Sequence, residues 1–306
     1  MNIEYNSNGE NKIEFTVPDE YSGADAKSFL RRYCKVSART LSKLKRTNLG
    51  ITRNNALLKT TDILSAGDVV VLSLPDDVNE IVPIKGELDI LFEDDYVMVV
   101  NKPPLMPAHP TKIHQEDTLA NIISYYMKQR GEHYTFRAIN RLDRDTSGCL
   151  LIAKDRYTAH ALPQSVGKEY VAVCEGVIES SGTVDRPIKV MEGRSIQRIV
   201  SDDGAHAVTH YYPVLTANNH TLTRFVLETG RTHQIRCHMS SIAHPLAGDD
   251  MYGGSLEYIT RQALHCRKMS FTHPITNQKI EIISDIPTDI CAVLNLDSID
   301  PSLFDV

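Results

Sequence analysis

The chain has 306 residues, 42% of them hydrophobic and 24% charged, with a formal net charge of −6 at pH 7. That length leaves room for about two domains with a sizeable core, and the composition excludes a disordered or fibrous chain. No apolar run is long enough to span a membrane, the start MNIEYNSNGENKIEF has neither the basic nor the apolar segment of a secretory signal, and the net charge excludes a uniformly basic nucleic-acid binder.

Residues 1–12 are expected to be an N-terminal extension. Across 24–34, ADAKSFLRRYC puts Ala26, Phe29, Leu30 and Tyr33 on one helical face. Ser37 suits the N-cap of a second helix, ARTLSKLKRT, with Leu41 and Leu44 inward. GITRNNALL and AGDVVVLSLP follow as short strands, with Gly67-Asp68 as the turn. Between Ala26 and Thr60 stand ten cations, among them Lys27, Arg31, Arg32, Arg39, Lys43, Lys45 and Arg46, and no Asp or Glu. So many unopposed cations in one small unit, 13–76, point to a phosphate backbone, and these residues are the candidate RNA-binding positions.

Residues 77–87, in the acidic stretch DDVNEIVPIKGE, carry Pro83 and Gly86 and read as a linker. LDILFEDDYVMVVNKPP reads as strand, acidic turn and strand. Over 117–130 a helix is expected, with Leu119, Ile122, Ile123, Tyr126 and Met127 as its apolar stripe. CLLIAK, KEYVAVCEG, AHAVTHYYPVL and TLTRFVLETG read as strands, RTHQIRCHMSSIA (231–243) as a helix, and LHCRKMSFT and KIEIISDIP as closing strands. Strands that dominate without a regular helix between each pair argue for an α+β domain with a mixed, largely antiparallel sheet. The six cysteines are scattered without a C-x-x-C pair, as expected of reduced, mostly buried thiols in a cytoplasmic protein.

Several chemistries lack their residues. There is no G-x-G-x-x-G, no G-x-x-x-x-G-K-[ST] and no H-E-x-x-H. His233 and His238 are spaced wrongly on their helix to share an ion, and His206 and His210 on a strand read better as polar side chains, so no metal is expected. Ser147 lacks the G-x-S-x-G surroundings of a nucleophile. What remains is INRLDRDTSG (139–148), a burst of charge between TFRAI and CLLIAK, both read as strands. Asp145-Thr-Ser-Gly148 suits a type I turn, which gives Asp145 a structural explanation. Asp143 has none. Its arginine neighbours, Arg141 and Arg144, would keep it ionised, and on these residues alone a surface ion pair explains it as well as catalysis does.

INRLDRDTSGCLLIAKD resembles the H-R-L-D-x-x-T-S-G signature of the RluA-type pseudouridine synthases, and LETGRTHQIRCHMSSIAHPLAGDDMYGG (227–254) resembles their second signature. ILFEDDYVMVVNKPPLMPAHP, KEYVAVCEG, AVTHYYPV and RQALHCRKMSFTHP resemble further segments in family order, so the likeness spans residues 88–287. The basic unit at 13–76 resembles the RNA-binding domain named after ribosomal protein S-four. The resemblance implies an α+β catalytic domain of pseudouridine synthase type over 88–306 and a small basic α/β RNA-binding domain before it. It implies an isomerase that detaches uracil from a uridine in ribosomal or transfer RNA and rejoins it through carbon 5, with no cofactor or metal. Asp143 is then the catalytic carboxylate, acting as a nucleophile or, the preferred role, as a general base during glycal formation. Tyr170 is implied to pack on the flipped base, Arg236 to pair with Asp143, and Arg141 to fill the gap in the stack. Asn140, Thr146, Gly230, Arg231, His233 and Gln234, within the two signatures, complete the expected substrate-binding set. The protein is expected to act on RNA as a monomer, away from membranes.

Two departures stand out. Asn140 replaces the usual His and cannot titrate near neutrality, and the 155–167 segment, RYTAHALPQSVG after Asp155, is shorter than the helix that members commonly place there. Two rival readings stay open. A non-catalytic RNA-binding or ribosome-assembly factor is opposed by the joint presence of Asp143, Tyr170 and Arg236. A glycoside hydrolase could use Asp143 and Asp145 at the roughly 5–9.5 Å such pairs require, but the chain has no Trp to stack on a sugar.

Overall fold

The computed structural model describes residues 3–5, 11–74, 81–193 and 196–304. Its first sheet comprises β1 (Ile3–Tyr5), β2 (Asn11–Thr16), β3 (Ile51–Arg53), β4 (Ala56–Leu57) and β5 (Val69–Leu74). They pair antiparallel in the order β1-β2-β5-β3-β4. β1 and the first residues of β2 thus lie in the stretch expected as an extension. Helix α1 (Ala26–Ser28) runs into a π-helical turn (Phe29–Tyr33), and α2 (Ala38–Leu44) follows. Ser37 caps α2 as expected, its hydroxyl accepting from the Thr40 N–H at 3.0 Å. Ala26, Phe29, Leu30, Leu41 and Leu44 are buried with Ile13, Phe15 and Leu72. Tyr33 is instead exposed, stacked on Phe29 at 5.2 Å, because the wider π turn rotates it off the expected face.

The larger body contains β6 (Ile90–Glu93), β7 (Val97–Lys102), β8 (Ser147–Ala153), β9 (Gly167–Glu175) and β10 (Gly182–Asp185). A separate hairpin follows, β11 (Ile188–Val190) with β12 (Arg198–Val200), then β13 (Val208–Ala217), β14 (His220–Leu227), β15 (Leu264–Thr272) and β16 (Lys279–Ile283). Hairpin apart, these form one nine-stranded sheet in the order β10-β13-β14-β9-β15-β8-β7-β6, with β16 against β15. Among the described residues only β8 and β15 pair in parallel, so the sheet is mixed and largely antiparallel.

Period-two burial puts helices on both faces of this sheet. Val97, Val99, Cys149, Leu151, Tyr170, Ala172 and Cys174 point to one side, where Ile235 and Met239 of α5 (Gln234–Ser241) meet them. Met98, Val100, Leu150 and Ile152 point to the other, under α3 (Leu119–Arg130), and Val171 and Val173 pack there on α6 (Thr288–Val293). α3 is the helix expected at 117–130. Thr118 and Asn121 cap its start reciprocally, and Gly131 ends it at φ +69°. The short segment after Asp155 holds α4 (Arg156–Ala161). All six cysteines are free and buried.

Three expectations change. TFRAI is not a strand: only Ala138 bridges, to Ile152. The helix expected over 231–243 begins at Gln234, because His233 takes the left-handed φ of +56° and cannot continue a helix. Within the expected linker 77–87, residues 77–80 lie outside the described residues. The rest packs on α3, where the Asn121 amide donates to the Val82 carbonyl at 2.9 Å and the Ser124 hydroxyl to the Ile81 carbonyl at 2.9 Å.

Candidate active site

The loop before β8 turns earlier than expected. The Thr146 N–H donates to the Asp143 carbonyl at 3.1 Å, so Asp143 opens the turn and Asp145 is its third residue. Gly148 serves a different purpose: it lies in β8 at φ +108°, and a Cβ there would fall 2.3 Å from the Cys266 carbonyl oxygen of parallel β15. Asp143 therefore has a structural place of its own, at the turn position that favours Asp. The Asp145 carboxylate accepts two bonds from the exposed Arg144, at 2.7 and 3.0 Å. The two carboxylates have different partners, which disfavours a paired-carboxylate hydrolase.

Lys102, at the end of β7, secures this loop from inside. It is fully buried, and its Nζ donates to the carbonyls of Pro103, Met106 and Arg144 at 2.8, 2.9 and 2.9 Å. Burial pulls its pKa down to about 7, yet three carbonyl acceptors match the three N–H donors that only the ammonium form offers. We therefore regard the charged form as the one that holds the loop.

Above the loop is a cleft lined by Arg141, Asp143, Thr146, Tyr170, Arg231, His233, Gln234 and Arg236, with Leu142, Leu227, Ile235 and Leu264 as its apolar wall. Residues from both signatures thus converge, although 93 positions separate Asp143 from Arg236. Asn140 and Gly230 do not line it. The Asn140 amide is buried and committed to β8, donating to the Cys149 carbonyl at 3.1 Å and accepting from the Leu151 N–H at 2.9 Å. Gln234 lines the cleft but is saturated: its Oε1 accepts from Thr229 and from the Arg231 N–H, and its Nε2 donates to Val208 and Thr209.

Arg236 is the electrostatic centre. Its Nε and Nη2 donate to the two oxygens of Asp249 at 2.6 and 2.7 Å, and Nη1 reaches Asp143 Oδ2 at 3.3 Å. The guanidinium lies 5.0 Å from the centroid of the Tyr252 ring. Asp249 is buried whereas the Asp143 side chain keeps 25% of its surface exposed, so one carboxylate anchors the cation and the other faces the cleft. His233 stands beside them with Nε2 3.7 Å from Asp143 Oδ2, while its Nδ1 bonds the Tyr252 hydroxyl at 3.0 Å. Burial lowers the His233 pKa, with the nearby Arg236 charge acting the same way against the pull of Asp143. Tyr170 is buried in the cleft wall, and burial raises its pKa well above the ordinary value, so its phenol stays protonated.

Sequence reasoning missed Asp249, Tyr252 and Lys102. Asp249 and Tyr252 lie inside the second signature, in GDDMYGG. No local signal separates the buried Asp249 from its exposed neighbour Asp250.

The basic positions are only partly gathered. Lys27, Arg31, Lys45 and Arg46 line one groove with Thr60 and Thr61. Arg32, Arg39 and Lys43 lie outside it. Arg31 also donates to the Val36 carbonyl. Among the described residues no group of three or more His, Cys, Asp or Glu could hold a metal ion, and no helix is long and apolar enough to cross a membrane.

The family described as RNA pseudouridylate synthase matches residues 96–241. RNA pseudouridine synthase YjbO of Bacillus subtilis (strain 168) is 37% identical, over 85% of this chain and 94% of its own. Ribosomal large subunit pseudouridine synthase D of Xylella fastidiosa (strain Temecula1) is 33% identical, over 94% and 93%. The solved structure of human RNA pseudouridylate synthase domain containing 1 superposes with a TM-score of 0.53 at 25% identity, over 65% of this chain and 83% of that one. The chain belongs to the RNA pseudouridine synthase family and is an isomerase that converts uridine in RNA to pseudouridine.

Proposed function

We propose that this isomerase acts on uridines of large-subunit ribosomal RNA with Asp143 as its catalytic carboxylate. The observation that carries the role is the Asp143 side chain itself, a quarter exposed in the cleft and 3.3 Å from the buried Arg236 guanidinium. A carboxylate held beside a fixed cation stays ionised and aimed. A uridine has to leave its stack to reach it; Tyr170 packs on the extruded base and Arg141, exposed on the rim, takes the vacated place. Thr146, Arg231, His233 and Gln234 shape the surrounding wall. Asp143 acts as the base that removes a ribose proton while the bond from C1′ to N1 breaks, leaving a glycal. Uracil then turns, C5 bonds C1′ as the ribose proton returns, and the proton lost from C5 is balanced by one taken up at N1, so the product is an isomer of the substrate.

We assign residues 13–76 to an S-four-like RNA-binding domain, 77–87 to the linker and 88–306 to the catalytic domain. Lys27, Arg31, Lys45 and Arg46 contact phosphates in the groove they line, and Arg32, Arg39 and Lys43 add to the field around it. The large-subunit target is supported by relatives named for that RNA, and it implies a cytoplasmic enzyme, which we take to be a monomer. The test is to map pseudouridine across total RNA from cells lacking the protein and to complement with parent or Asp143→Asn. Loss at large-subunit positions, restored by the parent alone, is expected. Loss confined to transfer RNA would overturn the RNA class, and restoration by Asp143→Asn would overturn the role of that residue.

A further inference from the structure

The segment after Asp155, shorter than the helix that family members commonly place there, is spent on one contact. Its helix α4 carries Tyr157, whose ring is buried within the apolar cluster of the first sheet rather than that of its own body. Tyr157 meets Phe15 edge to face, with ring centroids 5.7 Å apart. The seam there is lined by Val36, Thr40 and Leu72 on one side and Arg156 and His160 on the other. Ile275, beyond β15, joins the same cluster. Asp155, itself buried, fixes α4 by accepting from the Thr158 N–H at 2.9 Å. The connecting chain is pinned as well, through Ile81, Val82 and Ile84 to α3.

We propose that Tyr157 is a specificity-determining peg: it holds the basic groove at one bearing to the cleft, so that RNAs able to reach both at once are selected. The inference rests on the reading of residues 13–76 as RNA-binding. A second site on a loose tether raises the effective concentration for any RNA within reach, whereas a docked site helps only RNAs whose backbone passes at the set distance and angle. The peg thus links α4 packing to substrate choice without touching the reacting atoms.

Three full-length variants test this against large-subunit RNA and against a short uridine-bearing hairpin confined to the cleft. Tyr157→Ser should enlarge the radius of gyration in small-angle scattering and raise KM about tenfold for the long RNA, with kcat and the hairpin KM unchanged. Tyr157→Phe keeps the packing ring and should match the parent. Lys45→Glu with Arg46→Glu should raise the long-RNA KM at an unchanged radius. If Tyr157→Ser leaves the radius unchanged, or enlarges it with KM unmoved, the peg is overturned. If only the groove variant is silent, the RNA-binding reading of residues 13–76 fails and the inference with it. Should Tyr157→Ser not fold, Ile275→Ser at the second contact makes the same comparison.

Discussion

Asp249 and Arg236 form a closed pair: both carboxylate oxygens accept from the guanidinium, at 2.6 and 2.7 Å, and only Nη1 is left for Asp143. The geometry of the cleft cation is thus set by a residue that does not face the cleft. Asp249→Asn keeps the volume and removes the charge. Breaking one side of a buried ion pair costs about 3–5 kcal/mol, which urea unfolding would read. A displaced guanidinium also misaims Asp143, and errors of about 1 Å cost up to ~100-fold in rate. Parent stability together with a parent single-turnover rate would show that Asp249 does not position Arg236.

Tyr170 separates stacking from packing. Its ring belongs to the buried cluster with Cys149, Phe225 and Ile235, so Tyr170→Ala would also open a cavity, at about 3–5 kcal/mol. Tyr170→Leu is the cleaner probe. Stacking on a base is worth roughly 1–3 kcal/mol, so Leu should weaken RNA binding by that amount while Phe binds like the parent. Equal binding by Tyr, Phe and Leu would make Tyr170 a core residue and nothing more.

How far the site was legible follows from what local pattern encodes. The α3 stripe, the Ser37 cap and most long strands depend on neighbours within a few positions, and each appears where the residues place it. The pairing of Asp143 with Arg236 is not local and was reached only through the resemblance between motifs. Asp249 was missed because its burial arises from the fold. The turn at Asp143 was misplaced because Gly148 has two possible uses, a turn position or close approach to a neighbouring strand. Only the register of β8 on β15 decides between them.

His265 makes the same β8–β15 seam sensitive to acid. It is fully buried with Nδ1 2.9 Å from the Ser147 hydroxyl, and burial lowers its pKa from 6.5 to about 4. As pH falls below 6.5 the unfolded chain takes the proton first. This contribution to stability is therefore complete above about 6.5 and is lost progressively down to about 4. The shift corresponds to roughly 3 kcal/mol. Denaturant unfolding between pH 7.5 and 4.5 should show a shallower decline for His265→Gln than for the parent. Parallel declines would mean that His265 is not held neutral in the fold.

Asp143 and Asp145, two residues apart, should respond in opposite ways. Asp145 bonds the exposed Arg144 side chain, an arrangement worth about 1 kcal/mol or less, and its backbone carbonyl accepts from Arg261 at 3.2 Å. Asp145→Asn leaves that carbonyl in place, so most pseudouridine formation should survive with a small loss of stability. Asp143→Asn suits the first position of the turn as well as Asp does, so the loop should keep its shape. The change nevertheless removes the carboxylate that Arg236 presents to the cleft. Asp143→Asn should fold, bind RNA and form no pseudouridine in a single turnover at saturating enzyme. Near-parent turnover by Asp143→Asn with an inactive Asp145→Asn would reverse the roles. Activity in both would place the chemistry on another residue of the cleft, and His233, 3.7 Å from Asp143, would be the next to substitute.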